Sequence, residues 1–561
     1  MNKLVAQDFV QFCKSGEFSR LEQLYANEKR NGGVSLKDAR DAEGFTALHW
    51  CCLQDRRTII DFLFRNELVV DVNDGANNTG QTPLHWACTQ GHIVAADMII
   101  HRGADVYKED LLGYNAATHA VQNGHTLLLH YLKDTGMSLE GRDLEGHSLL
   151  HWAVYSDHRD LCYYLLGNSA SLNAKDKAGN TPLHLAAMFN KARAAAFLVQ
   201  YRAEVKALNS NGETPLQVAR QYPESEETEN YLQLIETEGV NSLHPLNSKR
   251  RRMVSTALPF IIYTVISYSL TQLPFWYIIP IFSVLGWLIM KYGYSFMWST
   301  TRYPSPWPMY WAYATILFCF WFGYTNILSA MPEYRNTLIF LMCLVPINLG
   351  LIYKTSTEDP GTVLKNKAVH VSGQNIVRLI TEEGMKADQF CPTCVIRKPI
   401  RSKHCVYCDT CIARFDHHCP WVNNCVGCNN HPYFVLLLVF WALLLFSFFI
   451  VLVVYIWFYL QIPTSPLFLL FNFIFSEQIF VIFCLMNTVV HFGWISFLLS
   501  DQVRLILQNK TLNEQKRREH KEYEEKFDRG TSHNIKEFLD LWKKTGRDWY
   551  HSFEGKKNDT V

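Results

Sequence analysis

Between Cys391 and Cys428 the chain places eight of its sixteen cysteines within thirty-eight residues, CPTCVIRKPIRSKHCVYCDTCIARFDHHCPWVNNCVGC. Zn²⁺ takes thiolates and imidazoles four at a time in a tetrahedron, and two thiolates separated by two residues at a tight turn supply a pair together. The segment offers Cys391 and Cys394 in that spacing, then His404-Cys405-x₂-Cys408-x₂-Cys411, then Asp416-His417-His418-Cys419, then Cys425. Spacing by itself does not choose among the possible pairings. The same run also holds the parts of a nucleophile. A free thiol, with a reference pKa of about 8.5, is mostly protonated at neutral pH and needs a neighbour that generates its thiolate. His417 lies two residues before Cys419, and Asp416 is placed to hold its imidazole in the tautomer that accepts a proton.

The pattern C-x₂-C-x₉-HC-x₂-C-x₂-C-x₄-DHHC-x₅-C resembles the cysteine-rich domain of the DHHC protein S-acyltransferases, with no ligand position missing. The resemblance implies two structural Zn²⁺ sites, one of Cys391, Cys394, His404 and Cys411, the other of Cys405, Cys408, His418 and Cys425. It leaves Cys419 and Cys428 as free thiols and assigns His418 to metal, so that His417 is the base. Closed four-ligand sites are structural, because no position stays open for water or substrate. The implied reaction has two steps. The Cys419 thiolate takes the acyl chain of a fatty acyl-CoA such as palmitoyl-CoA, and a client cysteine then takes it from Cys419. Exchange of one thioester for another is nearly balanced, so neither ATP nor a catalytic metal is needed, and His417 would serve both proton transfers.

Elements that could position this segment divide the chain sharply. The overall hydrophobic fraction of 48% hides a soluble half, up to about residue 255, and a membrane half. The soluble half repeats GFTALHW at Gly44, GQTPLHWA at Gly80, GYNAATHA at Gly113, GHSLLHWA at Gly146, GNTPLHLA at Gly179 and GETPLQVA at Gly212. A period of about 33 residues with a T-P-L-H core is the ankyrin signature, in which each turn and helix pair buries its apolar face only by stacking. Residues 6–39 read as a degenerate first unit. His49, His85, His151 and His184 share one repeat position; a metal is conceivable, but hydrogen bonding to neighbouring turns is the expected role. At the next position stand Trp50, Trp86, His119, Trp152 and Leu185. Aromatic rings there either pack between helices or anchor an extended client peptide, with Gln54, Gln90 and Asp157 as polar neighbours.

After the basic cluster Lys249–Arg252, apolar runs fall at 255–271, 274–292, 308–330, 335–353, 433–460 and 479–500; six spans are the expected count, with one re-entrant hairpin as the alternative for the first two, which are short and share the Leu273-Pro274 break. Lysine and arginine concentrate at 249–252, 291–302 and 354–431, which by the positive-inside rule places both termini and the cysteine-rich segment in the cytosol. The stretch MNKLVAQDFVQFCKSGEF lacks the basic start, apolar run and small-residue cleavage site of a signal peptide, so the first domain is expected in the cytosol. Within spans, Pro346, Asn348, Asn487 and His491 either bond between helices or line a cavity. Asp359-Pro360-Gly361 and Thr511-Leu512-Asn513-Glu514 resemble the DPG and TTxE motifs of the same family, except that Leu512 replaces the second threonine; Asn534, in an amphipathic stretch, resembles a C-terminal family position.

The predicted class is therefore all-α: an ankyrin-repeat solenoid, a six-span transmembrane helical domain and a cytosolic double-zinc DHHC domain. Its boundaries are 1–43 for the N-terminal cap, 44–240 for the repeats, 241–254 for a basic linker, 255–353 for spans one to four, 354–432 for the cysteine-rich domain, 433–500 for spans five and six, and 501–561 for the tail. This plan is similar to that of the ankyrin-repeat DHHC palmitoyltransferases. It implies clients with membrane-proximal cysteines, contact with membrane lipids, and a Golgi membrane location, with endosomal membranes or the endoplasmic reticulum next. Trp421 would pack near the reacting thioester, and Arg397, Lys398, Arg401 and Lys403 would meet CoA phosphates or anionic lipid. A net charge of +1 argues against a nucleic-acid partner. A zinc domain between spans four and five, with no pore helix between five and six, argues against an ion channel.

Overall fold

A computed structural model describes residues 2–30, 36–37, 39–75, 79–238, 335–363, 372–386, 389–399, 401–459, 479–516 and 527–541, together with isolated positions between 261 and 317. Apart from those isolated positions, the basic linker, the first three predicted spans and residues 542–561 lie outside the described residues. Two compact units result: Met1–His244 with Lys365–Arg397, and Pro245–Leu364 with Lys398–Val561.

In the first unit, α1 (Asn2–Ser15) and α2 (Phe18–Arg30) form the degenerate leading pair. Five repeat helix pairs follow: α3 (Ala47–Leu53) with α4 (Arg57–Arg65), α5 (Pro83–Gln90) with α6 (Ile93–Ile100), α7 (Ala116–Gln122) with α8 (Thr126–Asp134), α9 (Leu149–Tyr155) with α10 (Arg159–Gly167), and α11 (Pro182–Met188) with α12 (Ala192–Gln200). α13 (Pro215–Gln221) and α14 (Glu226–Glu238) close the stack. Residues of every pair share one buried apolar cluster, as stacked repeats require.

The repeat histidines explain the conserved-looking T-P-L-H spacing within this chain. Thr46, Thr82, Ser148 and Thr181 are N-caps, and the histidine three residues on accepts the cap N–H at Nδ1. That leaves Nε2 to donate to the next turn: His49 to the Gln81 carbonyl (3.0 Å), His85 to Lys108 (3.0 Å), His151 to Asn180 (3.1 Å) and His184 to Glu213 (3.0 Å). One side chain thus caps its own helix and ties two repeats together. In the last repeat Gln217 takes the histidine's place, its Oε1 accepting from the Thr214 N–H at 2.8 Å.

α15 is Arg335–Thr357, in the second unit, and α16 is Gly373–Glu382, in the first. The apolar face of α16, Ile376, Val377 and Leu379, joins the repeat cluster, and the Gly373 N–H donates to Asp134 Oδ2 at 2.7 Å. Gly373 lies so close to Tyr131 that a Cβ would sit 2.6 Å from the Tyr131 Cα.

Among the described residues, the helical expectation fails in the cysteine-rich segment. There β1 (Phe390–Cys391) pairs with β2 (Ile396–Arg397), β3 (Lys403–Cys405) with β4 (Thr410–Ile412), and β5 (His417–Cys419) with β6 (Asn424–Val426), as three two-stranded antiparallel hairpins. Ligand pairs at a chain reversal need two extended arms, and a helix cannot supply that reversal in three residues.

The second unit is built on α15, α17 (His431–Tyr459) and α18 (Ile479–Leu507), followed by α19 (Leu512–Lys516) and α20 (Thr531–Asp540). Among the described residues, His431–Phe458 is long and apolar enough to cross a membrane. Asn348 is fully buried and its Nδ2 donates to the Phe440 carbonyl of α17 at 3.2 Å, while His491 Nδ1 bonds the Asn487 carbonyl within α18 at 2.8 Å. Interhelical and intrahelical bonding thus engages Asn348 Nδ2 and His491 Nδ1, while Asn348 Oδ1 is buried without a partner among the described residues.

Candidate active site

Of the predicted ligand sets, Cys405, Cys408, His418 and Cys425 belong to one unit, and their ligand atoms all lie within 4.8 Å of one another. The turn of β3–β4 carries the first two, and β5 and β6 bring His418 opposite Cys425. His418 Nδ1 is 3.7 Å from Cys405 Sγ and 3.5 Å from the sulfurs of Cys408 and Cys425, and the latter two are 3.3 Å apart. Zn²⁺ bonded to sulfur at about 2.3 Å and nitrogen at about 2.0 Å sets its ligand atoms roughly 3.5–3.8 Å apart. The donor set and its spacing fit the metal. Cys391 and Cys394 sit on the β1–β2 turn of the first unit, the Cys394 N–H donating to Cys391 Sγ at 3.3 Å. His404 and Cys411 face each other across β3–β4.

On β5, to either side of His418, stand His417 and Cys419, with Asp416 immediately before the strand. His417 Nδ1 donates to Asp416 Oδ2 at 2.7 Å, which leaves Nε2 as the ring nitrogen open to Cys419, two residues on along β5. Burial alone would depress the His417 pKa, but the Asp416 carboxylate and the Cys419 sulfur outweigh it and lift it to about 10. Burial likewise opposes ionisation of Asp416, yet the imidazoles of His431 and His417 and the Leu512 amide hold its carboxyl well below the usual range. The arrangement is an ionised acid orienting an imidazole beside a thiol, the order of groups that nucleophilic catalysis by sulfur requires. Cys419 is 4% exposed, within an apolar cluster that includes Leu344, Val422, Phe434 and Leu438, and half-buried Trp421 leans on the same cluster.

Thr511–Glu514 acquires a physical meaning here. Thr511 Oγ1 accepts the Glu514 N–H (3.3 Å) while Glu514 Oε2 accepts the Thr511 N–H (2.8 Å), a reciprocal capping box opening α19. The next residue, Leu512, donates its N–H to Asp416 Oδ1 at 2.7 Å. Because that bond uses only the main chain, leucine performs it as well as threonine would. The Glu514 carboxylate also takes Arg401 Nε (2.7 Å) and Nη2 (2.8 Å), and Arg401 continues to the side chain and carbonyl of Asn509 at 3.1 and 2.8 Å.

Arg401 is therefore removed from the basic run expected to meet phosphates. It is 8% exposed and occupied by the second motif. Lys403 bonds Asn513 Oδ1 at 3.0 Å, and Arg397 pairs with Glu383 at 3.4 Å.

Asp359-Pro360-Gly361 forms an edge beside β4. Asp359 Oδ1 accepts the Thr362 N–H at 2.9 Å, the Val363 N–H donates to Cys411 O at 2.8 Å, and Ala413 N–H donates to Gly361 O at 2.9 Å. Gly361 has φ of 99°, and a Cβ there would meet Cys428 Sγ at 2.2 Å. Cys428 is fully buried, and burial pushes its thiol up to about 12, as befits a packing residue. Asn534 Nδ2 donates to the Leu507 carbonyl at the end of α18 (2.8 Å), so α20 docks through this cap.

The tryptophan stripe is partly spoken for. Trp50, Trp86 and Trp152 are half-buried, and their indole N–H groups donate to Asp41 (2.9 Å), Gln81 (3.0 Å) and Asp143 (3.0 Å). Trp50 and Trp86 meet edge to face at 5.2 Å. His119 and Leu185 are buried, the former bonded to Asp110 at 3.1 Å. Gln54 is exposed and accepts from Arg56 at 3.1 Å.

Sequence reasoning missed Gln502, His431, Asn509 and Arg414. Each is a polar residue at a helix end or loop whose role depends on partners about seventy or more residues away, and nothing local distinguishes it.

Comparison with known proteins agrees with this geometry. Residues 384–519 match the DHHC palmitoyltransferase family, and residues 9–110, 98–176 and 164–219 match ankyrin-repeat families. Over 326 residues the chain is 29% identical to palmitoyltransferase ZDHHC17 of Danio rerio, covering 53% of this chain and 49% of that one. Over 202 residues it is 32% identical to ZDHHC17 of Homo sapiens, covering 33% and 29%. Over 94 residues it is 45% identical to palmitoyltransferase Hip14 of Drosophila melanogaster, covering 16% and 14%. The matched stretches thus span about half the length of these relatives or less. With the cysteine pattern, the ligand cluster and the repeats all in place, the chain carries a DHHC palmitoyltransferase domain and ankyrin repeats, and in both it is similar to the ankyrin-repeat DHHC palmitoyltransferases.

Proposed function

We propose that the protein is a membrane-embedded S-acyltransferase that moves palmitate or a similar chain from acyl-CoA to client cysteines through an S-acyl-Cys419 intermediate. The observation that carries this reading is the buried Asp416–His417–Cys419 alignment beside an apolar helix cluster. His417, raised towards the cationic form, pairs with the Cys419 thiolate. The sulfur attacks the thioester carbon, the carbon–sulfur bond to CoA breaks, and the imidazolium gives its proton to the departing CoA thiolate. The neutral imidazole then takes the proton of the client thiol, whose sulfur attacks the acyl-Cys419 thioester and releases Cys419. Apolar residues around Cys419 suit a fatty chain, each buried CH₂ contributing about 0.8 kcal/mol.

Two structural zinc ions would be held, one by Cys405, Cys408, His418 and Cys425, whose donor spacing supports it, the other by Cys391, Cys394, His404 and Cys411, supported by their spacing in sequence and by the family resemblance. Zinc at such sites fixes the hairpins that have little other core. Six spans with both termini in the cytosol, and a Golgi membrane location, rest on the apolar runs, the charge distribution and the family. Client recruitment as an extended peptide along Trp50, Trp86, Trp152 and Gln54 is supported by the ring faces that remain half-exposed there. The test is incubation of purified protein in detergent with palmitoyl-CoA, following CoA release and locating the acyl group by hydroxylamine-sensitive mass spectrometry. Acylation of Cys419, absent in Cys419→Ser at unchanged zinc content, is the expected result; no release from zinc-loaded protein would overturn the mechanism.

A further inference from the structure

Asp416 receives a third donor that no motif contains. Gln502, 4% exposed near the end of α18, donates from Nε2 to Asp416 Oδ2 at 3.2 Å, and its Oε1 stands 2.7 Å from His431 Nε2 at the start of α17. An amide has donor and acceptor on one rigid plane, so its two contacts are not independent. With Nε2–H on His431, the amide oxygen must face the imidazole and the NH₂ must face the carboxylate. The flipped amide would set its oxygen against an anion. The His431 ring that enforces this is fully buried, with Phe538 of α20 edge-on at 5.2 Å. Its other nitrogen, Nδ1, has no partner among the described residues, which agrees with the Nε2–H tautomer.

The carboxylate is thereby held at both oxygens: Leu512 N–H on Oδ1, and Gln502 and His417 on Oδ2. A carboxylate on a freely turning χ2 offers His417 a broad arc of orientations. Donors from two elements beyond β5 stop that rotation and aim Oδ2 at His417 Nδ1.

We propose that Gln502, locked in its amide orientation by His431, is a positioning residue that fixes the Asp416 carboxylate and through it the His417 imidazole against Cys419. This rests on the acyltransferase reading, and one arm of the test is independent of it. Gln502→Met keeps the length and loses both bonds; Gln502→Glu keeps the shape and cannot donate to Asp416 when ionised. Both would be made in the full chain, alone and with Asp416→Ala, with zinc content and melting temperature recorded. Misplacement of a catalytic group costs on the order of tenfold to a hundredfold. The turnover number for CoA release should fall by about that factor in both single variants with KM for palmitoyl-CoA unchanged, and the penalty should vanish in the Asp416→Ala background. In the independent arm, alkylation of Cys419 by iodoacetamide, read by mass spectrometry, should slow in both variants without any acyl-CoA present. Wild-type rates in both variants would overturn the proposal, as would a loss that persists undiminished beside Asp416→Ala, which would mark Gln502 as a packing residue. If the unsubstituted chain releases no CoA, the functional reading fails, and slower alkylation in the variants would still establish the positioning.

Discussion

Replacing Arg401 by methionine should destabilise the second unit more than any exposed charge change and should impair the reaction indirectly. The guanidinium has a side-chain exposure of 1%, and the Glu514 carboxylate it grips has 20%. It makes two bonds to Glu514 and two to Asn509, all between 2.7 and 3.1 Å. Removing one partner of a buried pair leaves the other charge unpaired, at a cost of about 3–5 kcal/mol. A unit of this size shifts by about 2–4 °C per kcal/mol, so the melting temperature should drop by roughly 10 °C. Tryptophan fluorescence melts in detergent would measure it. The loss should extend to function, since the same Glu514 closes the capping box that presents the Leu512 N–H to Asp416. Glu514→Leu alone should behave similarly, and the Arg401→Met/Glu514→Leu double variant should recover most of the stability, because an apolar pair of similar volume replaces a buried ion pair at little net cost. A double-mutant coupling below about 1 kcal/mol, the level of an exposed pair, would refute the reasoning.

Gly361→Ala should lower the melting temperature, because alanine is strained at φ of 99° and its Cβ would overlap Cys428 Sγ at 2.2 Å; adding Cys428→Ala should restore part of the loss, and an unchanged melt for Gly361→Ala would contradict the close approach. Burial lowers His85 and His151 to about 4 from 6.5, so the folded repeats bind fewer protons than the unfolded chain between those values. The stability they contribute is complete above pH 6.5 and lost as pH falls towards 4, by about 2 kcal/mol per histidine at pH 5; hydrogen exchange of α5 and α9 at pH 7 and pH 5 would detect it, and equal protection at both would exclude the linkage.

The features legible in the sequence are those written locally. The repeat period and its T-P-L-H core specify a cap, a helix start and a stacking face within one short unit, so the solenoid followed from spacing alone. The clustered cysteines and histidines of the cysteine-rich segment stood out because metal chemistry restricts residue types and distances along the chain, although the hairpins that carry them fell outside the all-helical expectation. Asp416, His417 and Cys419 stood out in the sequence because an acid, an imidazole and a thiol fall within four consecutive residues, the last three of which form β5.

What tertiary structure alone decided is what lies across the chain. Arg401 reads as one basic residue among four until Glu514, more than a hundred positions away, occupies it. Leu512 reads as a departure from a motif until its main-chain N–H is found on Asp416. Gln502 and His431 carry no local signal at all, because a buried amide and a surface amide share the same sequence context and differ only in what faces them. Sequence determined which chemistry the chain contains, since reactivity resides in residue types at short range. Structure determined how the reacting groups are aimed, since each orienting hydrogen bond needs a partner that only folding brings near.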